Sequence, residues 1–287
     1  GEGGAELGTR REIPSTRDLY AVSRALEDHH IDALLVIGGY SAYEGIYTMM
    51  TERDRYPAFR IPTVCIPASI DNNLPGSELS IGTDTALNVI VEAMDKIKES
   101  GIASRRCFVV ETMGRDCGYL ALMSGIAAGA ERIYTNEDGI SLDDLANDVH
   151  WLRESFAHGR RLFLAVRNEN ASHNYTTDFI ARLLEEESHG MYDVRQVVLG
   201  HMQQGGSPSP FDRLLANRLG YRALNLIDDE LAAHQDGSWF IGVNESGMRP
   251  CSMDTMPSLI DAAHRRPREQ WWLQLRTIAR MVSDEVR

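Results

Sequence analysis

The chain has 287 residues, of which 43% are hydrophobic and 25% charged, ordinary globular values with enough material for one large α/β domain or two medium ones. A net charge of −13 and an isoelectric point near 5.1 argue against a nucleic-acid or anionic-membrane partner, because counterion release needs a basic surface. No apolar run approaches the roughly 18 residues of a membrane span, and Gly1-Glu2-Gly3-Gly4-Ala5-Glu6 has neither the basic start nor the apolar core of a secretion signal.

Any anionic ligand must therefore be held by local arginine and histidine working against the overall field. Four cysteines, Cys65, Cys107, Cys117 and Cys251, lack metal-ligand spacing and read as reduced core thiols of a cytosolic protein.

The opening is glycine-rich and ends in Arg10-Arg11, a loop that reads as the chain beginning partway through a domain. Ser15 starts a helix with Asp18 in its first turn and Leu19, Val22 and Leu26 on one face. Ala33-Leu34-Leu35-Val36-Ile37 is a continuous apolar run, a strand buried on both faces, closed by Gly38-Gly39. A helix carrying Tyr43, Ile46, Tyr47 and Met50 follows, and strand, glycine turn and helix in succession predict a parallel sheet. Gly38-Gly39 is either a close approach for a phosphate at a helix N-terminus or a tight turn. Tyr40-Ser41-Ala42-Tyr43 offers no lysine for phosphates and no carboxylate for magnesium, which favours the turn.

Thr63 to Ile66 is a short interior strand ended by Pro67. The loop that follows carries Ser69, Asp71, Asn72 and Asn73 before Pro75-Gly76. Ligands of open α/β sheets sit outside the carboxyl ends of strands, which makes this loop a site candidate; the plainer alternative is a set of Asx turns. A helix from about Asp84 to Ser100, with Lys96 and Lys98 near its end, leads to the strand Cys107 to Val110. Arg115 lies just beyond that strand, ahead of a small-residue helix around Ala121 to Ala128, where it either meets an anion or serves a salt bridge.

The pattern continues with a helix from Ser141 directing Leu142, Leu145, Val149, Leu152 and Phe156 inward, and a buried strand from Leu162 to Val166 that runs out at Arg167-Asn168-Glu169. A helix from Thr176 to about Glu187 precedes the strand Val194 to Leu199, which ends at Gly200-His201-Met202-Gln203-Gln204-Gly205-Gly206. Four strand ends thus present Asp71, Arg115, Glu169 and His201, and their convergence would suit a sugar phosphate, with Arg and His for the phosphate and acids and amides for hydroxyls. A helix from Asp212 to about Ala233, a short strand at Trp239 to Val243, a long loop from Gly247 to Pro257 and a last helix beginning at Arg268 complete the chain.

Pro67-Ala68-Ser69-Ile70-Asp71-Asn72-Asn73, Glu111-Thr112-Met113-Gly114-Arg115, Leu199-Gly200-His201-Met202-Gln203-Gln204-Gly205-Gly206 and Arg265-Arg266-Pro267-Arg268-Glu269-Gln270-Trp271-Trp272 together resemble 6-phosphofructokinases. The likeness is to the C-terminal, regulatory half of the long, duplicated eukaryotic-type enzymes. It implies two Rossmann-like three-layer α/β subdomains with mostly parallel sheets. The larger would comprise 1–82 plus 203–256, its first strand preceding Gly1, and the smaller 83–202 plus 257–287.

In that family the catalytic half uses ATP and magnesium on fructose 6-phosphate, and the regulatory half reuses the sugar pocket for fructose 2,6-bisphosphate. The resemblance implies that Ser69, Asp71 and Asn73 form the sugar loop and that Met113, Gly114 and Arg115 line the sugar, while Glu169 takes a hydroxyl. It further implies that Arg195, His201 and Arg265 lie by the 6-phosphate, that Gln204 belongs to the sugar-phosphate site, that Arg106 is reached from a neighbouring subunit, and that Arg11 meets the second phosphate. Expected partners are a sugar-phosphate effector or substrate, a catalytic half of the same chain and further copies in a tetramer.

Two departures matter. Catalytic members carry Gly-Gly-Asp-Gly-Ser where this chain has Gly38-Gly39-Tyr40-Ser41-Ala42, so its nucleotide side is degenerate and no cofactor or metal is expected on this segment. Against that, Asp71 stands where the active half keeps its general base. A turnover role on fructose 6-phosphate with an unconventional donor is the alternative.

Overall fold

The computed structural model describes Gly8 and residues 16–284, so Arg11 lies outside the described residues. In chain order the first half holds α1 (Thr16–Asp28), β1 (Leu34–Gly38), α2 (Tyr40–Thr51), β2 (Thr63–Pro67), α3 (Thr83–Gly101), β3 (Arg106–Thr112), α4 (Tyr119–Ala128), β4 (Arg132–Tyr134) and α5 (Leu142–Ala157). There follow β5 (Leu162–Asn168), α6 (Thr177–Glu186), β6 (Asp193–Val198), α7 (Pro210–Ala232), β7 (Ser238–Asn244), β8 (Gly247–Ser252), α8 (Met256–Leu259), β9 (Ile260–Asp261), β10 (Arg266–Pro267) and α9 (Arg276–Asp284). No helix among the described residues is long and apolar enough to cross a membrane.

These elements form two compact units. The first gathers residues 16–69, Asn73–Thr83 and Pro208–Gln270; the second gathers Ile70–Asn72, Asp84–Ser207 and residues 271–284. The hairpin of β9 and β10 therefore falls in the first unit, not in the smaller subdomain as the resemblance implies, because Ile260 and Met256 are buried in a core with Leu19, Tyr43 and Phe240. Residues 203–207 fall in the second unit, where Val89 and Thr85 of α3 lie so close to Gly206 that a Cβ there would meet Val89 Cγ2 at 2.5 Å.

The sheet of the first unit has the order β1-β2-β7-β8, with β1, β2 and β7 parallel and β8 antiparallel. Its alternating side chains build two cores. Cys65 and Phe240 pack with Leu19 of α1 and Tyr43 and Ile46 of α2, while Val64, Ile66, Ile241 and Val243 pack with Leu215, Leu219, Ala223 and Ile227 of α7. Strand β1 departs from the expected strand buried on both faces, since Ile37 is 64% exposed. It is the edge strand among those described, and α7 packs against β2 and β8.

The second unit is a fully parallel sheet of order β4-β5-β3-β6. Phe108, Val110, Leu164 and Val166 face α3 and α4, while Cys107, Val109, Phe163 and Ala165 face Leu145, Leu152 and Phe156 of α5 and Ile180 and Leu184 of α6. Each unit is thus a three-layer α/β stack. Ser141 caps α5 with a reciprocal box: its hydroxyl accepts from Asp144 N, and its own backbone N–H donates to Asp144. This leaves Leu142 61% exposed rather than turned inward.

Two further expectations change. The expected loop 247–257 is mostly β8, turned back on β7 through Gly247 at φ +103°, with Phe240 opposite Cys251. The last helix begins later than Arg268: residues Trp271–Leu275 form a 3-10 turn, and α9 starts at Arg276. All four cysteines are free thiols, with Cys65, Cys107 and Cys117 buried.

Candidate functional site

In the second unit the polar groups cluster where β3 and β5 end. Gly114 at φ +131° and Arg115 at φ +50° turn two successive amides to one side, and Glu169 Oε1 accepts from both, at 3.1 Å and 2.8 Å. Such paired amides make a concave anion site, and here the anion is the protein's own carboxylate. Only glycine fits at 114, because a Cβ would lie 2.4 Å from Cys117 O and 2.9 Å from Asn168 Nδ2. Glu169 Oε2 takes no hydrogen bond from the described residues and remains available to a hydroxyl.

Three buried polar side chains hold this arrangement, and only their positions, not their roles, were visible in the sequence. Asn168 is fully buried and donates to Met113 O at 3.4 Å and Cys117 O at 3.3 Å. Gln203 Oε1 accepts from Met113 N at 3.2 Å while its amide donates to Gly200 O at 2.9 Å. Arg167, 2% exposed, donates to Glu111 Oε2 at 2.9 Å, Glu169 O at 3.0 Å, Ser172 O at 2.6 Å, Tyr175 O at 3.2 Å and Thr177 Oγ1 at 3.4 Å. Burial draws the Arg167 guanidinium below its usual range, and the Glu111 carboxylate opposes that. One signal was present, a run of polar residues closing an otherwise apolar strand.

The exposed Arg115 side chain makes no ion pair among the described residues. His201 and Gln204 sit together on the turn after β6, with His201 Nδ1 and Gln204 Oε1 3.3 Å apart. Arg195 is elsewhere, in the middle of β6 opposite Phe108, half exposed and 3.8 Å from Asp193. Arg106 opens β3, at the end of the sheet opposite Met113 to Arg115, with one η nitrogen 3.5 Å from Ser100 O. Within this chain neither arginine joins the strand-end cluster. Asp71 is half-buried beside Ile70, which packs against the core of this unit.

In the first unit the candidate loop is tightly tied. Ser69 Oγ donates to Asn73 Oδ1 at 3.2 Å, and Asn73 Nδ2 donates to Arg265 O at 3.0 Å. Asn72, which falls in the second unit, adopts φ +51°, a conformation that asparagine tolerates better than most residues. Gly38 closes β1, and Gly39 is the N-cap of α2. Tyr40, the first residue of that helix, is 7% exposed, and Ser41 is half-buried behind it. The Arg265 guanidinium lies over the Tyr40 ring, 4.8 Å from its centroid, and is paired with Glu44. Burial, reinforced by Glu44, raises the Tyr40 phenol above its usual range, with Arg265 opposing.

A magnesium triphosphate does not fit these residues. Tyr40 supplies no carboxylate, and the nearby Glu44 is engaged by Arg265.

Three-layer α/β units with polar clusters at the carboxyl ends of parallel strands are the architecture of doubly wound ligand-binding proteins. The chain belongs to the phosphofructokinase family, whose model matches residues 1–227. It is 41% identical to the platelet-type ATP-dependent 6-phosphofructokinase of Rattus norvegicus over 293 residues, 99% of this chain and 37% of that protein. Identity to the muscle type of Mus musculus is 42% over 294 residues, 99% of this chain and 38% of that one. The solved phosphofructokinase of Saccharomyces cerevisiae superposes with a TM-score of 0.94 at 34% identity, covering 98% of this chain and 40% of that one. A pyrophosphate-dependent phosphofructokinase from Marinobacter aquaeolei shares the fold, with a TM-score of 0.70 at 17% identity over 99% of this chain and 74% of that one. The chain therefore spans about two-fifths of the length of the ATP-dependent relatives named here.

Proposed function

We propose that this chain is the allosteric segment of an ATP-dependent 6-phosphofructokinase, the glycolytic enzyme that converts fructose 6-phosphate to fructose 1,6-bisphosphate. On this reading it binds fructose 2,6-bisphosphate or a similar sugar phosphate and passes the signal to a catalytic half through subunit contacts in a cytoplasmic tetramer. ATP and magnesium serve the whole enzyme and not this segment.

The observation that carries the reading is the buried Tyr40 beneath Arg265, next to Gly38-Gly39. Phosphoryl transfer is stabilised mainly by a metal that bridges and neutralises the phosphates, and an aromatic ring cannot hold that metal. The strand-end cluster retains groups suited to a sugar phosphate: Arg115 without an ion pair among the described residues, Glu169 with one oxygen open, and the His201–Gln204 pair. Ser69 and Asn73 belong to the sugar loop, Arg265 offers a further positive charge, and Arg106 and Arg11 act toward neighbouring copies or the second phosphate.

Asp71 favours a second reading, in which the segment itself turns over fructose 6-phosphate with Asp71 deprotonating the 1-hydroxyl. Asp71→Asn in the intact protein, catalytic half included, separates the two. Normal turnover with altered response to fructose 2,6-bisphosphate supports the allosteric role, and abolished turnover supports the catalytic one.

A further inference from the structure

Arg265 stands at the tip of the β9–β10 hairpin, at φ +50°, a conformation costly for a residue with a side chain. Contacts on several sides hold it there. The Asn73 amide donates to its carbonyl at 3.0 Å, and Asp261 closes the tip by accepting from His264 Nδ1 at 2.6 Å and Ala263 N at 3.1 Å. Its guanidinium is fixed as well: Nη2 is bound by Glu44 Oε2, and the plane rests over the Tyr40 ring. Nε and Nη1 take no acceptor from the described residues. An arginine whose plane is set by an aromatic face and whose remaining donors are uncommitted has lost its rotamer entropy before any oxyanion arrives.

We propose that Tyr40 is a positioning residue for sugar-phosphate binding: its ring, with Glu44, holds the Arg265 guanidinium ready for the phosphate monoester. This deepens the allosteric reading and rests on it. The substitution that removes a metal carboxylate from the nucleotide side then has a second consequence, a platform for the arginine. The ring carries the role, because the Tyr40 hydroxyl makes no hydrogen bond to the described residues.

The test is calorimetric titration of the full chain with fructose 2,6-bisphosphate and with fructose 6-phosphate. Tyr40→Phe is expected to bind within twofold of the native chain. Tyr40→Leu, which keeps most of the volume but loses the π face, is expected to bind about fivefold more weakly, the range for a partly exposed cation–π contact. Arg265→Lys keeps the charge on a half-exposed site that tolerates change, yet lacks the plane, and is expected to lose about tenfold.

In an Arg265→Met background, Tyr40→Leu should add nothing further. The inference is overturned if Tyr40→Leu or Arg265→Lys binds like the native chain, or if Tyr40→Leu weakens binding equally without the arginine. It is separable from the reading beneath it. Failure of the native chain to bind either sugar phosphate removes both, whereas native binding that depends on Arg265 but not on Tyr40 removes only the positioning role.

Discussion

Replacing Arg167 by methionine removes one buried guanidinium that serves a carboxylate, three carbonyls and a hydroxyl at once. The Glu111 carboxylate, 22% exposed, would keep only the Thr177 hydroxyl, and the loop between β5 and α6 would lose one of its ties to β3. Breaking a buried ion pair from one side costs about 3–5 kcal/mol. The orphaned carbonyls of Ser172 and Tyr175 lie in a partly exposed loop where water can replace the donor, so the expected total stays near about 4 kcal/mol. That corresponds to a fall in melting temperature of about 8–16 °C for a unit of this size.

Urea denaturation with an unchanged m-value measures it directly, and Arg167→Met/Glu111→Leu should recover about 2 kcal/mol of the loss because no lone charge is left buried. A single variant within about 1 kcal/mol of the native chain would refute the view that this arginine organises the loop carrying Glu169.

Gly114→Ala forces a Cβ to within 2.4 Å of Cys117 O at a positive φ, and should cost about 3 kcal/mol in a thermal melt while weakening fructose 2,6-bisphosphate binding through the displaced Glu169. An unshifted melt contradicts the stated fit. Ser141→Ala removes the cap of α5 and should cost about 1 kcal/mol near neutral pH. The Ser141 hydroxyl and amide lower the Asp144 carboxyl below its usual value, so their stabilisation is present above about pH 4 and is lost as pH falls through the folded value. The variant's stability should therefore fall less steeply than the native chain's on the acid side, as read by urea midpoints between about pH 2 and pH 6. Equal acid slopes would show that Asp144 draws nothing from the box.

Much of the fold is legible because buried parallel strands advertise themselves. Leu162 to Val166 is apolar throughout, since both faces of β5 are packed by helices, and Gly159 at φ +101° marks the helix end before it. Strand β8 hides for the opposite reason. It is an edge strand, so Arg249 and Pro250 are tolerated there, and their presence makes the segment read as loop. Ile37 misleads in the same way, because its apolar character says nothing about its place on the edge strand of the described sheet.

The candidate polar cluster is legible in the sequence and its support is not. Asp71, Arg115, Glu169 and His201 are polar groups after strand ends, which a sequence displays, whereas Arg195 lies within β6 and Arg106 opens β3. Asn168 and Gln203 act on backbone atoms dozens of positions away, at Cys117 and Met113, and no local pattern encodes that reach. The Tyr40–Arg265 stack joins residues still further apart in the chain.

The central claim is that the sugar side of this segment binds while the nucleotide side does not. Isothermal titration of the 287-residue chain with magnesium-ATP and, separately, with fructose 2,6-bisphosphate tests it most directly. The account predicts saturable heat for the bisphosphate and none for magnesium-ATP at millimolar nucleotide. Saturable magnesium-ATP binding abolished by mutation of Gly39, with no heat for the sugar bisphosphate, would contradict it.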